Sequence, residues 1–418
     1  MTQPSPPRSA LPSPILIVCA AAMSLALAMG IGRFAFTAIL PVMIAQNALD
    51  LKLGSTLASA NYLGYLVGAL GCMAIPSRQS SARILRLGLL ATVLASLAMI
   101  IPSPTLWIAL RFAAGVISAV TMVQTARWCF LSLAHLQHAK LGSAMFTGVG
   151  LGIGISGLIC MAMIAADLDW QSLWVSFALI GCLMAGFVWS VATPAREALC
   201  TPASARAQPA AQATAPRPQA SRARLALFVL AYGLAGFGYI ITATYLPLIA
   251  RIELPGSALV DFFWPLFGFA AALGSFLATR LHDRLPPQNI LILCYLMQSA
   301  GVMWTTFRPD ATGLAVGALL AGLPFTAINF FAMDVAQRLY PNRVSQLIGL
   351  LTAAYAIGQI LGPATVQLVL HHVSDLQSGF NLSLHIAGGA LLAGALGFVA
   401  LGVLRRVYGP VNATLTRN

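Results

Sequence analysis

Charge is what this chain has least of. Only 8% of its 418 residues are Asp, Glu, Lys or Arg, against about 25% in a soluble domain. So little charge cannot cover a water-facing surface, and at 59% hydrophobic residues the bulk of the chain belongs in a bilayer. Acidic residues are scarcest, ten against 23 Lys and Arg, for a net charge of +13. There is no HExxH, no paired-aspartate cluster and no GxxxxGK, so the sequence offers no metalloprotease or nucleotide-hydrolysing chemistry and reads as no enzyme. None of the seven cysteines forms a CxxC pair; they read as reduced and structural, without a metal or a disulfide framework. The basic residues are scattered singly without interleaved aromatics, which argues against nucleic acid. His371 and His372, near Asp375, and His135 and His138 read as loop residues. No cofactor is expected.

What is present is apolar length. Cutting at charged and Pro/Ser/Gly-rich breaks leaves twelve runs: 15–45, 53–75, 84–101, 104–130, 142–166, 170–192, 225–250, 257–280, 288–307, 312–337, 345–370 and 380–404. Each is near the roughly 20 residues a spanning helix needs. The first is too long for a cleavable signal core and reads as a retained span. Twelve spans put both termini on one side. With that side cytoplasmic, eighteen Lys and Arg fall inside and three (Lys52, Arg251, Arg308) outside, which sets the orientation and accounts for the net charge. The expected organisation is a cytoplasmic tail (1–14), a six-helix bundle (15–192), a flexible Ala/Pro-rich cytoplasmic linker (193–224), a second six-helix bundle (225–404) and a cytoplasmic tail (405–418).

The two halves resemble each other. "AMGIGRFAF" (28–36) aligns ungapped with "AYGLAGFGY" (231–239), and each runs on to a Leu-Pro pair, Leu40-Pro41 and Leu246-Pro247. At the same offset "GALG" (68–71) meets "AALG" (271–274). Two matches at one offset argue for duplication, a transporter plan that places the substrate site between parallel repeats near the midplane.

Twelve spans, a long central loop and a six-plus-six repeat resemble the major facilitator superfamily (MFS). The fourth span, "LRFAAGVISA", is similar to that superfamily's Arg-x-x-x-Gly pattern on Arg111 and Gly115. "GSFLATRLHDR" resembles its cytoplasmic loop signature on Gly274, Asp283 and Arg284. The equivalent first-half loop, "AIPSRQSSAR", has the basic residues but no acidic one. The glycine-rich fifth span, "GVGLGIGISG", lacks the Gly-Pro of the superfamily's antiporter motif. More narrowly, "MGIGRFAFTAILPVM" followed by "LASANYLGYLVGAL" resembles the YbfB/YjiJ-type subfamily. The resemblance implies a multi-pass transporter of the bacterial inner membrane, with spans 1, 4, 7 and 10 lining a central cavity.

Arg33 is the only charge in the first run, and an Arg at a helix centre costs about 2.5–3.5 kcal/mol on the insertion scale. The repeat places Gly236 opposite Arg33 and Ala318 opposite Arg111, so the scaffold as such needs neither arginine. Two guanidiniums in a cavity would favour an anionic or carboxylate-bearing solute; ties to backbone carbonyls or helix packing within the first half are the alternative. The stripe Gly115, Ser118, Thr121 or Met122, and Thr125 suits either cavity lining or helix packing. Further cavity candidates are Asn61 and Tyr62, then Tyr232, Tyr239, Asn329, Tyr355 and Gln359. Asp261 and Asp334 alone among the acids fall within runs. Either could carry a proton, or each could be spent locally: Asp334 on Arg338 four residues on, Asp261 at a helix start. The expectation is a secondary transporter, acting as a monomer, that moves a small organic solute by alternating access with proton coupling. Efflux of amphipathic compounds without anion preference is a second reading, and a non-transporting membrane sensor a third.

Overall fold

The computed structural model describes residues 12–76, 79–200, 222–281, 284–339 and 344–408. Among the described residues the chain is all-helical, without strands. Twelve long helices follow one another: α1 Pro14–Ala45, α2 Leu51–Gly71, α3 Ser81–Ala98, α4 Pro104–His135, α5 Thr147–Ala165, α6 Trp170–Val191, α7 Arg222–Glu253, α8 Phe263–Leu281, α9 Pro287–Phe307, α10 Ala311–Leu339, α11 Val344–His372 and α12 Leu376–Tyr408. Eleven are long and apolar enough to cross a membrane; in α8 the apolar stretch is the shorter Phe263–Ala278. The run expected from residue 257 loses its first part to a turn, opened by Gly256 at φ +76°, a left-handed conformation that suits glycine. Asp261 therefore stands in that turn and not a turn inside the helix, a correction to the sequence reading.

The helix starts explain where four of the ten carboxylates go. Asp50, Asp169, Asp310 and Asp375 each accept a backbone N–H three residues on, at 2.7 to 2.8 Å, at the starts of α2, α6, α10 and α12. They fill the orphan donors of the first turn. All four lie at the end of the molecule that holds the α1–α2 connection.

Each half uses the same pairings: α2 on α4, α1 on α5 and α3 on α6 in the first, α8 on α10, α7 on α11 and α9 on α12 in the second. Small residues let backbones meet. A Cβ on Gly115 would come within 2.0 Å of the Asn61 carbonyl, and one on the repeat-equivalent Gly322 within 2.5 Å of the Phe267 carbonyl. Two seams join the halves, α5 against α8 and α2 against α11. In the first, Gly150, Gly154 and Gly157 face Ala272, Phe269 and Pro265. Large apolar side chains point away from these interfaces, such as Leu87, Leu90 and Leu94 on α3 and Leu179 and Leu183 on α6, as a lipid-facing surface requires.

One irregularity breaks the symmetry. Residues Ala26–Phe34 of α1 form a π-helical stretch, where α7 runs as unbroken α-helix. Gly236 of α7 lies so close to α11 that a Cβ there would meet the Tyr355 carbonyl at 2.2 Å. The second half has no room for a side chain at the position that carries Arg33 in the first.

The linker expected over 193–224 begins as a helix, Pro194–Cys200. Glu197 anchors it: its carboxylate accepts from Ser80 Oγ at 2.5 Å and from the Ser81 and Ala82 N–H groups, both at 2.9 Å, at the start of α3. A carboxylate is well placed there by the helix dipole. The linker also ends early, because α7 starts at Arg222. The rest of the linker, residues 201–221, lies outside the described residues.

Candidate transport site

Arg33 leaves the π-helical stretch with its side chain 3% exposed. Its Nη2 donates to Oε1 of Gln359 on α11 at 2.8 Å, and Gln359 Nε2 donates in turn to the Tyr239 hydroxyl on α7. This chain crosses from the first half to the second. The guanidinium carbon sits 4.0 Å from the centre of the Tyr65 ring and 5.2 Å from those of Tyr62 and Phe34. Its Nε has no hydrogen-bond partner, and among the described residues no carboxylate forms an ion pair with it. Cation–π contacts offset part of the desolvation of a buried guanidinium, but they leave its charge uncompensated.

Arg111 is used differently. Nη1 donates to the Gly32 carbonyl at 3.1 Å and Nη2 to the Arg33 carbonyl at 2.9 Å. A π-turn shifts each carbonyl's usual donor by one residue, and the fork of one guanidinium fits two neighbouring carbonyls. Arg111 thus secures the backbone that carries Arg33. Asn61 belongs to the same framework: its amide donates to the Arg111 carbonyl at 2.9 Å, where α2 and α4 cross on Gly115. Two members of the α4 stripe are spent within the first half, Ser118 on the Gly115 carbonyl and Thr125 on Ser24, whereas the buried Thr121 hydroxyl has no hydrogen-bond partner among the described residues.

The second-half candidates converge on Gln359. Tyr239 and Tyr355 are nearly parallel, with ring centres 5.6 Å apart; Tyr355 also packs on Tyr232 at 5.0 Å. Tyr232 donates to Oδ1 of Asn329. Phe325 lies 4.9 Å from Tyr239 and 5.8 Å from Phe34, closing the wall across the halves. Of the nine sequence candidates, Arg33, Tyr62, Tyr239, Tyr355 and Gln359 surround one point, Tyr232 and Asn329 extend it, and Arg111 and Asn61 support it from behind. Tyr65, Phe34 and Phe325 were not singled out in the sequence; Tyr65 follows Tyr62 by three residues and so shares its helix face.

Four further hydrogen bonds among the described residues tie the halves together on the α1–α2 side of Arg33: Thr37 to the Ala243 carbonyl at 2.9 Å, Ser55 to Tyr245 at 2.6 Å, Tyr62 to Thr244 at 2.8 Å and, at the exposed rim, Gln367 to the Lys52 carbonyl at 3.3 Å.

Asp334 pairs with Arg338 at 3.0 Å, the local use its spacing suggested. Asp261 pairs with Arg251 at 2.6 Å. It also borders a cavity of about 10 Å³ between the halves, lined by Ala38, Cys160, Pro247 and Trp264 among others, a volume near that of one water. Of the loop signature, Gly274 is a contact point of α8 with α10, where a Cβ would meet the Leu323 carbonyl at 1.7 Å. Arg284 is exposed in the turn that follows α8, and Asp283 lies outside the described residues. The acid missing from the first-half loop is supplied from elsewhere in sequence, by Glu197.

Against known proteins, a family model described as "Uncharacterised MFS-type transporter YbfB" matches residues 25–398. The chain belongs to this family of MFS transporters. It is therefore a transporter and not an enzyme. The fold is similar to that of a nucleoside transporter, NupG, with a TM-score of 0.67 at 14% identity over 92% of this chain and 99% of that one. It is also similar to a D-xylose-proton symporter, with a TM-score of 0.68 at 14% identity over 92% and 97% of the two chains. No curated protein matches the sequence.

Proposed function

We propose that this MFS protein is a proton-coupled secondary transporter of a small organic anion, with Arg33 as the group that holds the negative charge. The observation that carries the reading is a buried guanidinium with a free N–H, no carboxylate partner among the described residues, and a single neutral bond across the halves. Intramembrane charges usually face a substrate path or a partner; here the partner is an amide. Arg111, by contrast, acts through the backbone of α1.

In this reading all twelve long helices span a bacterial inner membrane as a monomer, with both termini and the 201–221 segment in the cytoplasm. The α1–α2 end is then outermost. The ties Thr37–Ala243, Ser55–Tyr245 and Tyr62–Thr244 seal that end, and transport rocks the halves on the two seams until they part. No nucleotide site is present in the sequence, so a proton gradient supplies the energy, as in the symporter of similar fold. Both acids are paired, Asp261 with Arg251 and Asp334 with Arg338; Asp261 is the favoured proton carrier because it alone of the two borders the small cavity between the halves.

Uptake into proteoliposomes from a panel of organic acids, amines and neutral solutes tests the reading. At least one organic acid should be moved, with proton movement recorded by an internal pH dye. Arg33→Ala should abolish that flux while melting near the wild type, and Arg33→Lys should keep part of it, having charge without the fork. Normal flux in Arg33→Ala would remove Arg33 from the site. A panel in which only amines or neutral solutes move would refute the anion reading.

A further inference from the structure

We infer that the transported solute is a planar aromatic monocarboxylate whose carboxylate takes the place of the Gln359 amide on Arg33. The inference rests on Arg33 as the anion anchor. The Gln359 side chain has the shape of a carboxylic acid without its charge. Its oxygen accepts the Arg33 Nη2 bond at 2.8 Å, and its nitrogen satisfies Tyr239. A neutral surrogate thus occupies the carboxylate position on Arg33. A carboxylate makes charge-assisted bonds to a guanidinium about twice as strong as neutral ones, and two at once. It has a second N–H to use, because Arg33 Nε is unbonded.

The monoacid follows from the supply of cations: Arg111, the other buried arginine, already donates from both Nη atoms to two carbonyls, which leaves it only an Nε N–H and no free fork. The aromatic body follows from the wall beside Gln359. Tyr239 and Tyr355 stack on each other, Phe325 packs tilted on Tyr239, and Phe34 meets Phe325 edge-on, so the wall is aromatic on both sides of the boundary between the halves. Aromatic pairs gain over area burial alone when their quadrupoles are offset or edge-on, so a ring attached to the carboxylate is preferred to a saturated body of equal size. The exchange also moves the bond between the halves. Arg33 lies on α1 and Gln359 on α11, so a ligand that displaces the amide replaces a direct tie with one made through itself.

The test uses the purified full chain and five probes at pH 7.5: benzoate, phenylacetate, cyclohexanecarboxylate, cyclohexylacetate and benzamide. Thermal stability in detergent reports binding by mass action. Benzoate and phenylacetate should each raise the melting temperature at concentrations about two- to tenfold below those of their saturated counterparts, and benzamide should have no effect. Gln359→Glu fixes a carboxylate against Arg33. It should raise the melting temperature without ligand and abolish the response to the aromatic acids. Gln359→Leu, which removes the surrogate, should keep or tighten binding, and it carries the test if Gln359→Glu does not fold.

Equal responses to the aromatic and saturated acids would overturn the aromatic class and leave the anion anchor standing. Benzamide acting like benzoate would overturn the anchor itself. An undiminished response in Gln359→Glu would overturn the displacement, and no response to any probe by either the wild type or Gln359→Leu would overturn the inference as a whole.

Discussion

Replacing Arg111 should separate scaffold from site. The variant Arg111→Ala removes two hydrogen bonds, at 3.1 and 2.9 Å, that hold the Gly32 and Arg33 carbonyls. It also removes a guanidinium 4.7 Å from the centre of the Phe36 ring. Interhelical hydrogen bonds inside membranes are worth about 0.6–2 kcal/mol each, and the ring contact adds about 0.5–2 kcal/mol. Relief of a desolvated charge works the other way. The expected net loss is about 1–4 kcal/mol, read as a lower melting temperature in detergent and as faster proteolysis of the first half. Arg111→Lys, a point charge without a fork, should recover only part of it. Flux should fall in both variants in step with the lost stability. Arg33→Ala should show the opposite pattern, full stability without flux, because Arg33 bonds to a side-chain amide and, among the described residues, to no backbone carbonyl, and its charge has no carboxylate partner there. An Arg111→Ala protein that melts with the wild type but neither binds nor transports would refute the division of labour and place Arg111 in the substrate path.

Three other predictions follow from the framework. Glu197→Gln should loosen the helix Pro194–Cys200 from α3: burial pushes the Cys200 thiol up and keeps it unreactive, so maleimide labelling at Cys200 should be slow in the wild type and several-fold faster in the variant. Asp261→Asn should retain solute exchange at equal pH and lose accumulation driven by a pH gradient; intact accumulation would move coupling to another acid. Asp169 is held below the usual carboxylate range by the Ser172 hydroxyl and N–H. A lowered folded-state pKa means that its contribution to α6 is complete at neutral pH and fades only as pH falls through that lowered value, so Asp169→Ala should cost about 1 kcal/mol at pH 7 and less in acid, measured by thermal melts at both pH values.

The fold was legible because a bilayer leaves so few solutions. Apolar length marks the helices, and a repeated Gly and Leu-Pro pattern marks the halves. The helix start furthest from its expected place, at α8, lies where apolar residues continue through a turn, and hydropathy is blind to backbone direction. The site was legible only as far as charge reveals it. Arg33 stood out by its cost, and Tyr355 with Gln359 by their spacing of four. Phe325 and Phe34 did not, because an aromatic in an apolar run has no distinguishing neighbour in sequence. The partners of Arg111 are two carbonyls of a π-helical stretch, and no residue pattern announces those. Glu197 was hidden because its partners stand more than a hundred residues away and most are backbone N–H groups.

The seam between α5 and α8 has a mechanical consequence. Its contact points are glycine, alanine and proline together with Phe269, and backbone rests on backbone where Gly150 meets Ala272 and Gly268 meets Gly154. In the proposed rocking of the halves such points would let the helices slide or tilt with little change of rotamer, so the seam would work as a plain bearing. Gly150→Val or Gly268→Val would act as grit in that bearing. Such a protein should still recognise its ligand and cycle slowly, losing turnover before affinity.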